Sequence, residues 1–157
     1  MAGHILMVGT TGCGKTTLAR KMAQRAADAG RPVLVYDPVG GEWPHAARVF
    51  DDEYEYGQEA LRSRGALYVV DEAGELLGRS NHEFFWLVTR ARHKGAQTVL
   101  ICHRPSQLAN VLRDNCSHLV LFRSTLAVAK LMADEFNDPR LEQATRLERH
   151  AYLTSSR

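Results

Sequence analysis

Short apolar runs alternate along the chain with longer amphipathic stretches. The runs are rich in Val, Leu and Ile and are nearly continuous rather than alternating, which is typical of strands buried on both faces of a parallel sheet. They cover five segments: His4–Val8, Pro32–Tyr36, Ala66–Val70, Gln97–Cys102 and Ser117–Phe122. The pattern predicts an α/β fold with a mainly parallel sheet that is flanked by helices on both faces.

Helices are predicted in four of the remaining stretches: Lys15–Ala29, Asn81–Lys94, Leu126–Phe136 and Arg140–Arg149. The first stops before a glycine, the residue type that commonly follows a helix C-terminus. The second begins at an asparagine, which is suited to cap a helix N-terminus. The final apolar residues, Ala151–Leu153, predict an edge strand. The segment Asp37–Glu53 contains closely spaced Pro and Gly residues and predicts a long functional loop.

Length and composition favour one domain that spans residues 1–157. Hydrophobic residues make up 45% of the chain and charged residues 24%, a balance that excludes a disordered or coiled-coil protein. The formal net charge is only +2, so a DNA partner would have to be bound by a local basic patch. The residues at the N-terminus predict no signal peptide, and no apolar run approaches the roughly 20 residues of a membrane span. The three cysteines form no CxxC pair, and we predict a cytoplasmic protein without a disulfide or zinc site.

The segment 9–16, GTTGCGKT, matches the phosphate-binding motif G-x-x-x-x-G-K-[ST] in full. It follows a predicted strand and opens a predicted helix, which is the context that the motif requires. Its glycines let backbone N–H groups point at phosphate oxygens, and the helix N-terminus adds a positive dipole. Lys15 is expected to contact the β- and γ-phosphates, and Thr16 to bind Mg²⁺. The predicted ATP-binding residues are Gly9, Thr10, Thr11, Gly12, Cys13, Gly14, Lys15, Thr16 and Thr17.

Two adjacent carboxylates, Asp71 and Glu72, end the third apolar run. Asp71 is expected to bind Mg²⁺ beside the phosphate loop, and Glu72 to orient and deprotonate the water that attacks the γ-phosphate. A solvated turn after a core strand is the alternative, which the phosphate loop upstream makes less attractive. A small-molecule kinase would also need an arginine-bearing lid, and no arginine-rich insertion separates the strands. Hydrolysis is therefore favoured over transfer.

His103 directly follows the fourth apolar run. A polar side chain at such a strand end can contact the γ-phosphate or position the attacking water, the task of a glutamine in other P-loop enzymes. A histidine that caps a helix or belongs to a loop remains the alternative. Pro105 is expected to begin a short helix.

Three stretches carry a resemblance to a known superfamily. Residues 92–108, RHKGAQTVLICHRPSQL, resemble the sensor region of the FtsK/HerA superfamily of DNA-pumping ATPases. Residues 111–116, VLRDNC, continue that likeness, and residues 37–43, DPVGGEW, are similar to a loop of the HerA branch. The resemblance covers residues 3 to about 123. Small single-domain members of the superfamily include genome-packaging ATPases of membrane-containing, double-jelly-roll viruses.

The resemblance implies a RecA-like fold in which the strand before His103 lies between the phosphate-loop strand and the Asp71 strand. It assigns the phosphates and Mg²⁺ to Lys15 and Thr16, the metal and the water to Asp71 and Glu72, and the sensor role to His103. The superfamily usually has glutamine at that last position.

The resemblance further implies a homo-oligomeric ring, usually a hexamer, with ATP at subunit boundaries and an arginine supplied by the neighbour. The candidates are Arg90, Arg92, Arg104 and Arg123, of which Arg92 and Arg123 lie in stretches that resemble the family. Such an arginine stabilises transition-state charge.

Basic residues cluster at 90–94 and again at 146–150, and either cluster is a candidate for lining a DNA channel. A solvated helix face explains each cluster equally well. Trp43 and Trp86 are candidates for stacking on bases, although packing at a helix flank is favoured for Trp86.

Together these features predict an ATP-hydrolysing translocase of double-stranded DNA that packages a viral or prophage genome. Its expected partners are DNA, further copies of the chain, and a capsid or membrane-vertex protein, in the host cytoplasm or the virion. The alternatives are a Zot-like phage assembly or secretion ATPase, a small nucleoside or nucleotide kinase, and a non-catalytic nucleotide-gated subunit.

Overall fold

The computed structural model describes residues 3–157, which contain one seven-stranded sheet. The strands are β1 His4–Val8, β2 Val33–Tyr36, β3 Arg48–Phe50, β4 Leu67–Val70, β5 Gln97–Cys102, β6 Cys116–Phe122 and β7 Tyr152–Ser156. Their order across the sheet is β3-β2-β4-β5-β1-β6-β7. All neighbours pair in parallel except β6 and β7, which are antiparallel.

Helices cover both faces of the sheet, as predicted. They are α1 Lys15–Asp28, α2 Glu53–Arg62, α3 Ala73–Leu76, α4 Trp86–Thr89, α5 Asn110–Asn115 and α6 Leu126–Phe136. Short 3₁₀ segments lie at His82–Phe84, Ala91–Lys94, Pro105–Gln107 and Pro139–Arg146. Alanines of α1 pack with alternate strand residues on one face, and the aromatic and leucine side chains of the other helices fill the second face.

All five predicted strands are present, with ends within one residue of the prediction. The sheet order places β5 between β1 and β4, as the resemblance implies. Pro105 opens a short 3₁₀ segment, as expected. The predicted edge strand is confirmed as β7, which runs three residues further than expected because its whole length pairs with β6.

The prediction of an unbroken loop over Asp37–Glu53 was wrong, because the segment contains β3 and the first residue of α2. β3 is a three-residue edge strand with only Phe50 buried, so it carries no continuous apolar run. The helix that follows was missed entirely. Its cap is polar: the Asp52 side chain accepts a hydrogen bond from Glu55 N at 2.8 Å.

The single helix predicted over Asn81–Lys94 is broken into three short turns. The hydroxyl of Thr98 in β5 donates to the carbonyl oxygen of Leu87, which a continuous α-helix would use for its own N–H. Asn81 does not cap the segment, because its side-chain amide donates to Leu76 O at 2.7 Å. A long-range contact has therefore overridden the local helical pattern.

The helix predicted over Arg140–Arg149 is a 3₁₀ segment that ends at Arg146. Asp138 caps its start by accepting from Arg140 N at 3.2 Å, and Leu147 has extended backbone. Residues 147–151 are consequently outside any helix and run across the sheet edge toward the phosphate loop.

Cys13, Cys102 and Cys116 are buried and unpaired. Among residues 3–157, no helix is both long and apolar enough to cross a membrane.

A fully buried histidine predicts a pH-dependent stability. Burial, helped by the positive charge of Arg92, lowers the pKa of His4 to about 4, and its Nδ1 accepts from Thr98 N at 3.0 Å. Between the unfolded pKa near 6.5 and the folded value, the unfolded chain binds more protons. The stabilisation by neutral His4 is therefore fully present above pH 6.5. As the pH falls toward 4, the free energy of unfolding decreases by about 3 kcal/mol.

Urea unfolding at pH 7.5, 5.5 and 4.5 measures this loss. We expect the free energy of unfolding of wild type to fall more steeply with acidification than that of His4→Gln, which cannot titrate. Equal slopes for the two proteins would contradict a neutral, buried His4.

Candidate active site

The phosphate loop, residues 9–16, connects the carboxyl end of β1 to the first turn of α1. Gly12 has a φ of 74° and Gly14, which caps α1, has a φ of 107°. Side chains are strained in this region of backbone space, so the turn needs glycine at both positions. The loop therefore opens α1 with backbone N–H groups exposed, the arrangement that binds phosphate.

Lys15 is buried and its ammonium group is held inside the loop. Its Nζ donates to Gly9 O and Thr10 O, both at 2.8 Å, and lies 3.7 Å from Cys13 Sγ. A lysine that lies beneath the loop with its charge unpaired by any carboxylate in residues 3–157 is suited to an anionic ligand.

Asp71 lies directly beneath the first turn of α1. Its Oδ2 accepts from Thr16 Oγ1 at 3.1 Å, and its Oδ1 accepts from Glu72 N at 3.0 Å. Burial raises the pKa of Asp71, although these two hydrogen bonds partly offset the effect. A buried carboxylate next to a hydroxyl offers the hard oxygen ligands that Mg²⁺ prefers, so these residues fit the predicted ion.

His103 joins the acidic pair to the phosphate loop. Its Nε2 lies 3.1 Å from Glu72 Oε1, and its Nδ1 lies 3.3 Å from Lys15 Nζ and 3.2 Å from Gly9 O. Lysine, imidazole and carboxylate thus form one continuous chain of polar contacts along the floor of the cleft. Glu72 is held in left-handed backbone with a φ of 53°, a conformation that is uncommon for glutamate and is concentrated at functional sites.

The turn after His103 is fixed by a buried arginine. The Arg113 guanidinium donates to Pro105 O at 3.0 Å and Leu108 O at 2.7 Å, and pairs with Glu135 at 2.7 Å. Because Pro105 and Leu108 belong to this turn and Glu135 belongs to α6, Arg113 ties the turn to α6.

These groups line one cleft with a volume of about 320 Å³. The lining residues are Thr11, Gly12, Gly14, Lys15, Thr16, Thr17, Asp71, Glu72, His103, Arg149 and His150. A larger cavity, of about 560 Å³, lies beside β6 and β7 away from the phosphate loop, and its charged groups Asp138 and Arg140 pair with each other. The candidate catalytic groups therefore meet in the smaller cleft.

A family model described as "Helicase HerA, central domain" matches residues 1–104. The chain belongs to the HerA family. The matched region contains the phosphate loop, the acidic pair and His103, and it stops one residue beyond the histidine.

Solved structures show the same RecA-like P-loop fold. The genome packaging NTPase B204 from Sulfolobus turreted icosahedral virus 2, in complex with AMPPCP, is similar with a TM-score of 0.81 and 13% identity over 98% of this chain and 92% of that chain. The pCW3 conjugation coupling protein TcpA gives 0.71 and 17%, over 98% of this chain and 57% of that one. The N-terminal domain of zonular occludens toxin from Neisseria meningitidis gives 0.54 and 21%, over 76% of each. The comparison with curated protein sequences returns no match.

Most predicted site residues of this HerA-family chain meet in the cleft. Thr10 lies at its rim, where its N–H donates to Arg123 O at 2.9 Å, and Gly9 and Cys13 are buried beneath it. Arg149 and His150, which belong to one of the basic clusters identified in the sequence, also line the cleft. Their position depends on the antiparallel pairing of β7, which sequence patterns do not reveal.

The candidate arginines are distributed over both ends of the sheet. Arg123 and Arg104 are exposed, and they follow the carboxyl ends of β6 and β5 on the side of the phosphate loop. Arg92 precedes β5 at the opposite end, where its Nη2 donates to Asn115 O at 2.9 Å. Arg90 is exposed near the same end.

Neither tryptophan is arranged to stack on a base. Trp43 is buried, with Nε1 donating to Asp37 Oδ2 at 2.9 Å. Trp86 packs edge-on against Tyr68 and lies beneath Lys94, as the helix-flank alternative predicts. Burial and the internal hydrogen bond of the indole disfavour Trp43 as a residue that stacks on a base.

Proposed function

We propose that this HerA-type P-loop ATPase hydrolyses ATP with Mg²⁺ and uses the energy to translocate double-stranded DNA, as a genome-packaging motor of a virus or prophage. The observation that carries the proposal is the chain of contacts from Lys15 through His103 to Glu72, next to the Thr16–Asp71 pair. The likeness to the packaging NTPase B204 over 98% of this chain supports the choice of motor.

In this proposal Lys15 leaves the carbonyl oxygens of Gly9 and Thr10 and binds the β- and γ-phosphates. Thr16 and Asp71 hold Mg²⁺, which supplies charge neutralisation at the phosphates when it is bound. The N–H groups of the loop bind the same oxygens, so the hydrogen bonds of Lys15 to neutral carbonyl oxygens are replaced by hydrogen bonds to anionic phosphate oxygens.

Glu72 acts as the general base for the attacking water. The water adds to the γ-phosphorus, its proton passes to the Glu72 carboxylate, and the bond from the γ-phosphorus to the β–γ bridging oxygen breaks to leave ADP and phosphate. His103 orients Glu72 through its 3.1 Å contact and senses the phosphate end through Lys15. Histidine thereby takes the place of the glutamine that is usual in the superfamily.

We propose that the motor is a homo-oligomeric ring, with six copies as the expected number. A neighbouring copy supplies Arg123 or Arg104 to the γ-phosphate, since both are exposed at the correct end of the sheet. Arg92 is a weaker candidate because its guanidinium is bonded within its own chain. DNA is bound through its phosphates, and a capsid or membrane-vertex protein docks the ring in the host cytoplasm or virion.

Mixing two inactive variants tests the shared site. Lys15→Ala lacks the lysine of the phosphate loop but keeps Arg123. Arg123→Ala keeps the loop and lacks the arginine. If Arg123 is the residue supplied in trans, each variant alone loses at least ~100-fold in ATP hydrolysis, and the mixture recovers a substantial fraction because some boundaries combine an intact loop with an intact arginine. Arg104→Ala is mixed in the same way.

Solution mass with ATPγS and duplex DNA establishes whether a ring forms in each mixture. Rings without recovery for either arginine would contradict a trans role for both residues. A monomer at all concentrations, with full ATPase activity, would contradict the ring itself.

The Zot domain provides the second candidate, an ATPase of phage assembly or secretion. Its TM-score of 0.54 and coverage of 76% are lower than those of B204, and we rank it second for this reason. Hydrolysis that does not respond to DNA would favour this alternative.

A further inference from the structure

The segment between the last 3₁₀ turn and β7 approaches the phosphate loop from the β6–β7 side of β1. The acidic pair follows β4, which lies on the other side of β1 in the strand order. Arg149 Nε lies 3.4 Å from Gly12 O. His150 lies so close to Gly14 that a Cβ at that position would approach its Nδ1 to 2.9 Å. Both residues line the cleft that holds Lys15 and Asp71.

The strand that follows fixes this placement. Tyr152 pairs with Phe122 across the antiparallel β6–β7 ladder, and the two rings lie 5.2 Å apart. His150 has a φ of 71°, so the chain makes a left-handed turn just before it enters β7. Such a conformation is unfavourable for histidine and is retained where the surrounding structure imposes it.

The cleft has two chemically different ends. Glu72 and His103 follow β4 and β5 and define the end where the γ-phosphate reacts in the proposed function. The phosphate loop follows β1, and the β6–β7 side lies beyond it in the sheet. A nucleotide with its γ-phosphate at the acidic end therefore directs its nucleoside toward Arg149 and His150.

The two side chains are free to contact a nucleobase. Both are exposed, and neither forms an ion pair with any carboxylate in residues 3–157. Guanidinium and imidazole are planar groups that stack on aromatic faces, and stacking of this kind is worth roughly 1–3 kcal/mol per base.

We propose that Arg149 and His150 form a nucleobase clamp, which holds the base of the bound triphosphate in cis. The proposal rests on the proposed function, because it takes the γ-phosphate to lie at Glu72. It assigns affinity for the nucleoside to the C-terminal segment and affinity for the phosphates to the loop.

Calorimetric titration with ATP and with inorganic tripolyphosphate separates the two contributions. We expect ATP to bind roughly 10-fold more weakly to Arg149→Ala and to His150→Asn, and tripolyphosphate to bind both variants as it binds wild type. Asparagine tolerates left-handed backbone, so His150→Asn removes the ring while it preserves the turn. Arg64→Ala, an exposed arginine outside the cleft, is the matched control and should bind both ligands normally.

Equal weakening of ATP and tripolyphosphate would overturn the clamp and assign these residues to phosphate. Unchanged binding of ATP in both variants would also overturn it. Binding is measured with EDTA and without DNA, so that ATP is not turned over during the titration. A chain that fails to hydrolyse ATP or to form a ring would contradict the proposed function and still report on the clamp.

Discussion

Glu72→Gln is expected to bind ATP as tightly as wild type and to lose ~10²–10⁴-fold in the rate of hydrolysis. The amide has the shape of the carboxylate and can keep the 3.1 Å contact with His103, but it cannot accept a proton from water. Single-turnover phosphate release measures the chemical step, and fluorescence titration with an ATP analogue measures binding.

A matched pair of variants at position 103 controls for this interpretation. His103→Gln offers a hydrogen-bonding group to Glu72, whereas His103→Ala offers none, and we expect the alanine variant to be the slower of the two. Full hydrolysis by Glu72→Gln would show that another group is the base. Loss of ATP affinity in that variant would show that Glu72 serves binding instead.

Lys15→Ala is expected to weaken ATP binding by at least ~100-fold and to abolish measurable turnover. The ammonium now donates to Gly9 O and Thr10 O, and in the complex it makes charge-assisted hydrogen bonds that are each worth about 1.5–3 kcal/mol. Equilibrium binding of labelled ATP, with Mg²⁺ present, measures the change.

Lys15→Arg is the control, because it keeps the charge and changes the shape of the group beneath the loop. Thermal unfolding of all three proteins separates ligand binding from damage to the fold, since Lys15 is buried. ATP affinity that survives in the alanine variant would contradict the role of the loop lysine.

The sheet and the phosphate loop could both be predicted from the sequence. β1, β2, β4 and β5 are buried on both faces almost throughout, so each appears as a continuous apolar run. β6 is partly exposed at Ser117, His118 and Val120, and its run was recognised from the apolar residues around them. The loop is defined by residues that its backbone geometry requires. β3 was not predicted, because only one of its three residues is buried and it forms no apolar run. The prediction of one helix over 81–94 was wrong because the Thr98 hydroxyl donates a hydrogen bond to the Leu87 carbonyl oxygen. This contact joins two elements, so no local sequence pattern reveals it.

The site was predictable in part for the same reason. Asp71 and Glu72 stand at a strand end, and parallel strands bring such ends to one edge of the sheet. The direct contact of His103 with both Lys15 and Glu72 required side-chain geometry. Arg149 and His150 reach the cleft only because β7 turns back along β6, and their basic character alone suggested DNA.

The rate of phosphate release from ATP by the purified chain, with and without linear duplex DNA, tests the motor most directly. We predict severalfold faster release with DNA at low salt and a decline of this stimulation as salt rises, since the contacts are to DNA phosphates. A rate of phosphate release that is the same with and without DNA at every salt concentration would contradict the motor. Transfer of the γ-phosphate to a nucleoside would also contradict it.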